Sequence, residues 1–232
     1  MMRSYNGVVG ETVFARHNVV NMGTVEETAT AVTWVRSEQE YVDLGLSVKW
    51  ATMNVGATSP EDYGDHFAWG ETSPKENYSF GTYKWNGTGN SLTKYNYSEN
   101  YGTVDNKYLL NACDDVATAN WGGAWRMPTK DEMVELRNKN NCKWEWTSQN
   151  NVNGFKVTSL KEGYTDNFIF LPAAGRRDGT TFFNVGSYGY YWSASLDEEY
   201  SPSARYVPFT TGSVYYGNSE RYYGNSVRPV LP

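Results

Sequence analysis

Two cysteines, two histidines and a few paired carboxylates are the side chains through which this 232-residue chain could make or break bonds. Cys113 and Cys142 could bridge if the fold brings them together; otherwise they are two inert thiols. With only His17 and His66 present, a Ser–His–Asp hydrolase would have to recruit His66, which sits in Glu61-Asp62-Tyr63-Gly64-Asp65-His66. No strand–Ser–helix elbow accompanies it, so His66 is expected to be a surface-loop histidine. Asp62, Asp65 and His66, or Asp114-Asp115, offer ligands for Ca²⁺ or a transition metal, but short acidic runs ordinarily serve as solvated turns or helix caps. Glu132 and Glu135 read as helix surface, no Gly-rich phosphate loop occurs, and the sequons at Asn77, Asn86 and Asn96 suit an Asn/Ser-rich loop. The expectation is therefore no catalytic group, no metal and no cofactor.

Recognition is the chemistry the chain is better equipped for. Nine of the 19 tyrosines fall in residues 176–232, together with five arginines, five acidic residues and no lysine. Tyr215-Tyr216-Gly217-Asn218-Ser219 recurs as Tyr222-Tyr223-Gly224-Asn225-Ser226, a period too short for a solenoid and suggestive of two strands joined by a turn. Successive strand residues face opposite ways, so one tyrosine of each pair should lie off the core. Tyrosine contributes a large contact area at small entropic cost and keeps a hydroxyl, and with Ser, Gly and Asn it forms the alphabet of binding loops. A tyrosine-rich β-core with glycine turns would use the same residues internally. A displayed binding surface between Phe182 and Asn225 is the favoured alternative.

The elements that must carry this surface are short. Aromatic residues make up 16% of the chain and charged residues 20%, enough apolar area for a folded core and too little Ala, Leu, Glu and Lys for a helical bundle. A net charge of −6 leaves no basic footprint for nucleic acid. No apolar run reaches the roughly 18 residues of a membrane span, and no signal peptide is visible. Residues 1–40, with spaced apolar pairs such as Val8-Val9 and Val19-Val20, read as an N-terminal extension that either packs on the main domain or serves attachment or oligomerisation. From Tyr41 to Ala51 the alternation around Gly45 predicts a hairpin, and residues 72–105 predict a long irregular stretch. Asp114 or Asp115 should cap a helix running toward Asn120 and stopped by Gly122-Gly123. Thr129-Lys130-Asp131-Glu132 is a capping box for a second helix, with Met133, Val134 and Leu136 turned inward. Two helices among many short strands predict an α+β domain over 41–232.

Several blocks resemble a known group. Trp121-Gly122-Gly123-Ala124-Trp125-Arg126-Met127-Pro128-Thr129-Lys130-Asp131-Glu132, Leu171-Pro172-Ala173-Ala174-Gly175-Arg176, Gly189-Tyr190-Tyr191-Trp192-Ser193-Ala194-Ser195 and Ser226-Val227-Arg228-Pro229-Val230 are similar to the formylglycine-generating-enzyme and C-type-lectin-like group. With Asp43-Leu44-Gly45-Leu46-Ser47-Val48-Lys49-Trp50-Ala51, they resemble the paralogous domains of gut Bacteroidetes and their phages. The resemblance implies a C-type-lectin-like fold with two helices, short irregular antiparallel strands and Gly/Tyr-rich loops. It also implies a core anchored by Trp121, Trp125 and Trp192, with Arg126 and Arg228 as scaffold.

Within that group residues 176–230 resemble the variable region of a diversity-generating retroelement target, in which adenine positions of a template are rewritten. Lys, Gln and Met are absent after Lys161, as AAC-derived diversity requires, whereas Glu198, Glu199 and Glu220 would have to be template-encoded. The resemblance implies displayed, variable positions at Phe183, Tyr188, Tyr190, Leu196, Tyr200, Ser203, Arg205, Thr210, Tyr215, Tyr216, Asn218, Tyr222, Tyr223 and Asn225. The partner would be a protein or glycan receptor, and the setting a phage virion or a cell surface, with a homotrimer as the analogous assembly. A fixed-specificity binding domain is the alternative. Enzymatic relatives oxidise cysteine with a reactive cysteine pair near the C-terminal end, but the last cysteine here is Cys142. The Glu-Pro-Asn and Trp-Asn-Asp calcium motifs of sugar-binding lectins are also missing.

Overall fold

A computed structural model describes the backbone of residues 12–21 and 24–33 and all of residues 39–232. The rest of the expected N-terminal extension lies outside the described residues. Two compact units divide after Glu38. In the first, strands β1 (Thr12–Asn21) and β2 (Thr24–Thr33) pair antiparallel from Thr12 with Thr33 to Asn21 with Thr24.

In the second unit β3 (Tyr41–Val42) and β4 (Lys49–Ala51) form the expected hairpin, with Gly45 at φ 66° in a turn that Asp43 closes by accepting the Gly45 amide. Residues 72–105 hold only 3₁₀ turns and isolated bridges, as their composition predicts, whereas 54–57 and 64–71, whose sequence reads as strand-and-turn segments, form no strand beyond the single bridge of Phe67 to Asn225. Two helices follow where the capping signals put them. Asp115 accepts the Thr118 amide to start α1 (Val116–Trp121), and Gly122 at φ 67° ends it. Thr129 and Glu132 exchange side-chain and backbone bonds at the start of α2 (Lys130–Arg137). Met133 and Leu136 are buried there, but Val134 is 41% exposed and does not face the core as expected. A helix of eight residues turns only a narrow stripe inward, and position 134 lies outside it.

Strands β5 (Cys142–Gln149), β6 (Val152–Ser159) and β7 (Phe168–Pro172) form one sheet. Its first turn is Asn150-Asn151, both at positive φ, the geometry that matches strand twist in a two-residue hairpin. Strands β8 (Arg176–Asp178) and β9 (Thr181–Phe183) make a small hairpin. Strands β10 (Tyr188–Leu196), β11 (Ser203–Thr210), β12 (Ser213–Val214) and β13 (Gly217–Glu220) form the sheet of interest, with β11 central. Strand β14 (Val230–Leu231) returns to pair with β4.

The α+β, C-type-lectin-like expectation is overturned here. Among the described residues the regular structure is mostly strand, arranged as several small antiparallel sheets, and the two helices are of six and eight residues. Capping boxes and hairpin turns fix individual elements, but several arrangements can share them, and these helices are too short to form a layer of their own. The two copies of the Tyr-Tyr-Gly-Asn-Ser echo do not pair with each other either. The first supplies β13, bonded to β11, while the second makes single bridges from Gly224 to Arg177, Asn225 to Phe67 and Ser226 to Tyr191.

Alternation along β10 and β11 divides the core. Tyr191, Val207 and Phe209 pack with Trp50, Met133, Leu136 and Phe155 on one side. Trp192, Leu196 and Ala204 pack with Phe67, Trp69 and Tyr95 on the other. Each large side chain so buried stabilises the fold by about 1.5–3 kcal/mol. Trp192 is the full anchor expected, Trp125 is buried, and Trp121 is only half-buried, set edge-on against Trp125. Arg126 makes a two-pronged bond to Glu132 at 2.5 and 2.8 Å.

Two wholly buried arginines fasten the C-terminal segment without any carboxylate. Arg228 donates to Asn54 Oδ1 and to the carbonyls of Ala51, Thr52 and Phe170 over 2.7–3.0 Å, and burial pulls its pKa down to about 10. Arg221 donates to the Tyr83 hydroxyl and to the carbonyls of Lys94, Tyr95 and Ser201, enclosed by Trp69, Tyr83 and Tyr95 rings at 4.9–5.9 Å.

Candidate functional site

Tyr188, Tyr190 and Trp192 share one face of β10, and antiparallel register places Tyr206 of β11 opposite Trp192 on the same face. Their phenol rings stack as a ladder. Tyr188 lies on Tyr190 at 6.0 Å and 9°, and Tyr190 on Tyr206 at 6.1 Å and 2°. Asn184, at φ 59° in the turn before β10, donates its amide to the Tyr190 hydroxyl and steadies the ladder's middle rung. Room for the ladder depends on Gly189, whose missing Cβ leaves space on the other face for the Phe209 ring, 2.1 Å from where that Cβ would stand.

The ladder continues through a cation. Arg176 of β8 sets its guanidinium over Tyr190 at 5.5 Å and over Tyr223 at 4.3 Å. It forms no ion pair among the described residues, and its Nε has no hydrogen-bond partner. Tyr223 meets Tyr222 edge-on at 4.7 Å, and Tyr222 meets Phe80 at 5.9 Å. Burial raises the Tyr222 hydroxyl well above the usual range and the Tyr206 hydroxyl in the same direction, so both stay protonated and able to donate. Glu220, half-buried, carries a carboxylate raised by burial alone, and its charge is felt by Tyr200 on one side and Tyr222 on the other. The array thus offers flat apolar rings, phenol hydroxyls, one unpaired guanidinium and one unpaired carboxylate.

The fourteen expected display positions divide in three. Phe183, Tyr188, Tyr200, Tyr215 and Asn218 are exposed. Arg205, Thr210, Tyr216, Tyr222 and Tyr223 are half-buried. Tyr190, Leu196, Ser203 and Asn225 are buried, which corrects their assignment to a displayed surface. Tyr190 is the inner rung of the ladder, Leu196 joins the Trp192 core, and Ser203 closes the turn after Tyr200 through its amide. Asn225 pairs with Phe67 inside the molecule. Leu196 keeps the parity of Trp192 and Ala194, and that side of β10 passes from ladder into core at Trp192.

Tyr200, Arg205 and Asn218 gather instead around Asp197. This buried carboxylate accepts the amides of Glu199 and Tyr200 and the Asn218 side chain at 2.7 Å, and it forms an ion pair with Arg205, whose Nε lies 3.2 Å away. Tyr216 packs toward the Trp50–Phe209 core, with Arg205 5.5 Å from its ring. The members that sequence reading missed are Tyr206, Arg176 and Glu220. For Tyr206 a signal existed, the alternation Ala204-Tyr206-Pro208 in a strand paired with Tyr188-Tyr190-Trp192.

His66 also departs from expectation. It is buried, not a surface-loop residue, because its Nε2 is held 3.2 and 3.3 Å from the carbonyl oxygens of Ala174 and Gly175. Burial lowers its pKa, which keeps the ring neutral at pH 7. Among the described residues no group of three His, Cys, Asp or Glu is placed to hold a metal ion. Asp114 is taken up by Lys84, Lys94 and Tyr95, and Asp115 by the start of α1 and the Met127 amide. Cys113 is exposed and Cys142 buried, and both are free. No helix among the described residues is long and apolar enough to cross a membrane.

Comparison with protein-family models, curated proteins and solved structures finds no match to this chain.

Proposed function

We propose that this chain is a non-enzymatic recognition protein whose tyrosine face contacts a protein or glycan receptor, displayed on a phage particle or a cell surface. The observation that carries the proposal is the aromatic array centred on Tyr190, which stacks on Tyr188 and Tyr206 and meets Arg176, itself over Tyr223 beside Tyr222; Tyr188 is exposed, Tyr206, Tyr222 and Tyr223 are half-buried, and Tyr190 is the buried rung that holds them. Stacked phenols anchored from below lose little entropy on binding, and aromatic anchors of this kind are worth about 2 kcal/mol or more each at an interface. Arg176 and Glu220, both without an opposite charge of their own, would orient the partner.

Retroelement diversification belongs to the same proposal, confined to positions that reach solvent. Substitution at Phe183, Tyr188, Tyr200, Tyr215 or Asn218 leaves the core intact, whereas change at Leu196 or Asn225 would not. Sequencing sibling genomes of one strain tests this. Substitutions should cluster at the five exposed positions and spare the buried ones, beside a reverse-transcriptase gene and an imperfect repeat of the gene's 3′ end. Even scatter along the chain refutes diversification. For the binding face itself, a labelled chain carrying Tyr188→Ser, Tyr206→Ser and Tyr223→Ser should lose adhesion to cells that the unaltered chain coats. Undiminished adhesion refutes the face.

A further inference from the structure

We propose that a cleft of about 530 Å³ between the 62–66 loop and the β8–β9 hairpin is a binding site for a neutral saccharide. The cleft lies in the size range of small-ligand sites, roughly 300–1,000 Å³. Because Arg176 and Arg177 are neighbours on a strand, they face opposite ways. Arg176 joins the tyrosine array, whereas Arg177 lines this cleft with Phe182, its cross-strand partner. The site is therefore separate from the tyrosine face, and nothing in the proposal rests on that face.

The lining contains opposed functions. On one side stand acceptors: the Asp65 carboxylate, which has no hydrogen-bond partner within the described residues, and His66. With Nε2 fixed as the donor to Ala174 and Gly175, the neutral His66 ring has its lone pair on Nδ1, for which the protein supplies no partner. On the other side stands a donor. Arg177 spends Nη2 on the Glu76 and Thr180 carbonyls, and its Nη1 has no hydrogen-bond partner among the described residues. Between them is an apolar wall, Phe182 and Val185, with the Phe182 ring 54% exposed and held in place by Arg177 at 4.3 Å and by the edge of His66 at 5.6 Å.

Such a lining selects by charge. An ammonium ligand would meet Arg177 and Lys75, and a phosphate would meet Asp62 and Asp65. A purely apolar ligand would strand Asp65, His66 and Arg177. A ring of hydroxyls answers all three at once: it donates to Asp65 and His66, accepts from Arg177 and lays its C–H face on Phe182. The floor is rigid. The Tyr78 hydroxyl donates to the His66 carbonyl, and Gly175 and Gly224 pack too closely to admit a Cβ, against Phe183 O at 2.3 Å and Tyr78 at 2.7 Å.

The test is saturation-transfer NMR and titration calorimetry on the full chain. The probes are the methyl glycosides of glucose, galactose, mannose, fucose and N-acetylglucosamine, with methylamine and inorganic phosphate as rivals. At least one glycoside should bind with Kd of about 10 mM or tighter. Asp65→Ala and Phe182→Ala, both at exposed positions, should each weaken it about tenfold or more. Lys143→Ala, on a strand that adds nothing to the cleft, should bind as the unaltered chain does. Melting curves establish that each variant is folded. Failure of every glycoside, affinity unchanged in both cleft variants, or binding of methylamine or phosphate alone overturns the proposal.

Discussion

Replacing Arg221 by lysine keeps the charge and most of the side-chain volume, yet should cost the molecule a large share of its stability. The guanidinium of Arg221 is 1% exposed and directs three nitrogens to four oxygens: Nε to the Tyr83 hydroxyl at 2.9 Å, Nη1 to Tyr95 O at 3.0 Å and Ser201 O at 3.2 Å, and Nη2 to Lys94 O at 3.0 Å. A lysine ammonium is one point with three hydrogens and cannot span that fork. At least two acceptors lose their donor, and each charge-assisted bond is worth about 1.5–3 kcal/mol. The expected loss is therefore at least about 3 kcal/mol before any weakening of the contacts to Trp69, Tyr83 and Tyr95. For a domain of this size each kcal/mol moves Tm by roughly 2–4 °C, so the midpoint should fall by about 6–12 °C. Differential scanning calorimetry of the two proteins at pH 7 measures it. A fall of less than about 2 °C would mean that water reaches those carbonyls, and that the fork does not hold the 217–226 segment.

Gly189→Ala should destabilise by about 1–3 kcal/mol in urea unfolding, since the new methyl must displace the ring of Phe209; an unchanged midpoint would refute that packing. Burial alone would raise the Asp114 pKa, but hydrogen bonds from Lys84, Lys94 and Tyr95 outweigh it and bring it to about 2, below the usual aspartate value of about 3.9. Its folded pKa is depressed, so its stabilising contribution, about 2 kcal/mol, is present above pH 4 and disappears as pH falls through about 2. Asp114→Asn should accordingly be less stable at pH 7 and converge on the unaltered chain near pH 2, whereas parallel stability curves would refute the pairing. A thiol reagent at pH 8 should label Cys113 alone in the folded protein and both cysteines in denaturant, because Cys142 is buried with its pKa pushed up to about 11; prompt double labelling of folded protein would refute this.

What could be foreseen from sequence was what is local. The Asp115 cap, the Thr129–Glu132 box and the Gly45 turn each involve atoms a few residues apart, and all three are present. The fold expectation failed because these signals specify elements and not their arrangement, and five small sheets can be assembled from the same parts. The site was legible in composition but not in membership. Counting tyrosines singles out the right quarter of the chain, but the ladder and the Trp192 core lie on the same side of β10, so alternation alone does not separate a displayed position from a buried one. Arg221 and His66 were the hardest to foresee, and Arg228 was expected as scaffold only through the resemblance, not from its partners. Arginine is ordinarily a surface residue, and here most of its carbonyl partners (Lys94 and Tyr95, Ala51 and Thr52) come from positions more than a hundred residues earlier, just as His66 is buried by carbonyls at 174 and 175.

The pairing of β14 with β4, with Asn225 bridging Phe67 and Val230 bridging Arg126, sets an order on self-assembly. Trp50 and Phe67 are made some 160–180 residues before the backbone that covers them. Until then their strand edges stay open and sticky, which favours slow maturation and chaperone capture over rapid two-state collapse. Once the last strand docks, the beginning and end of the domain are sewn into a single ribbon, and the molecule shuts like a clasp.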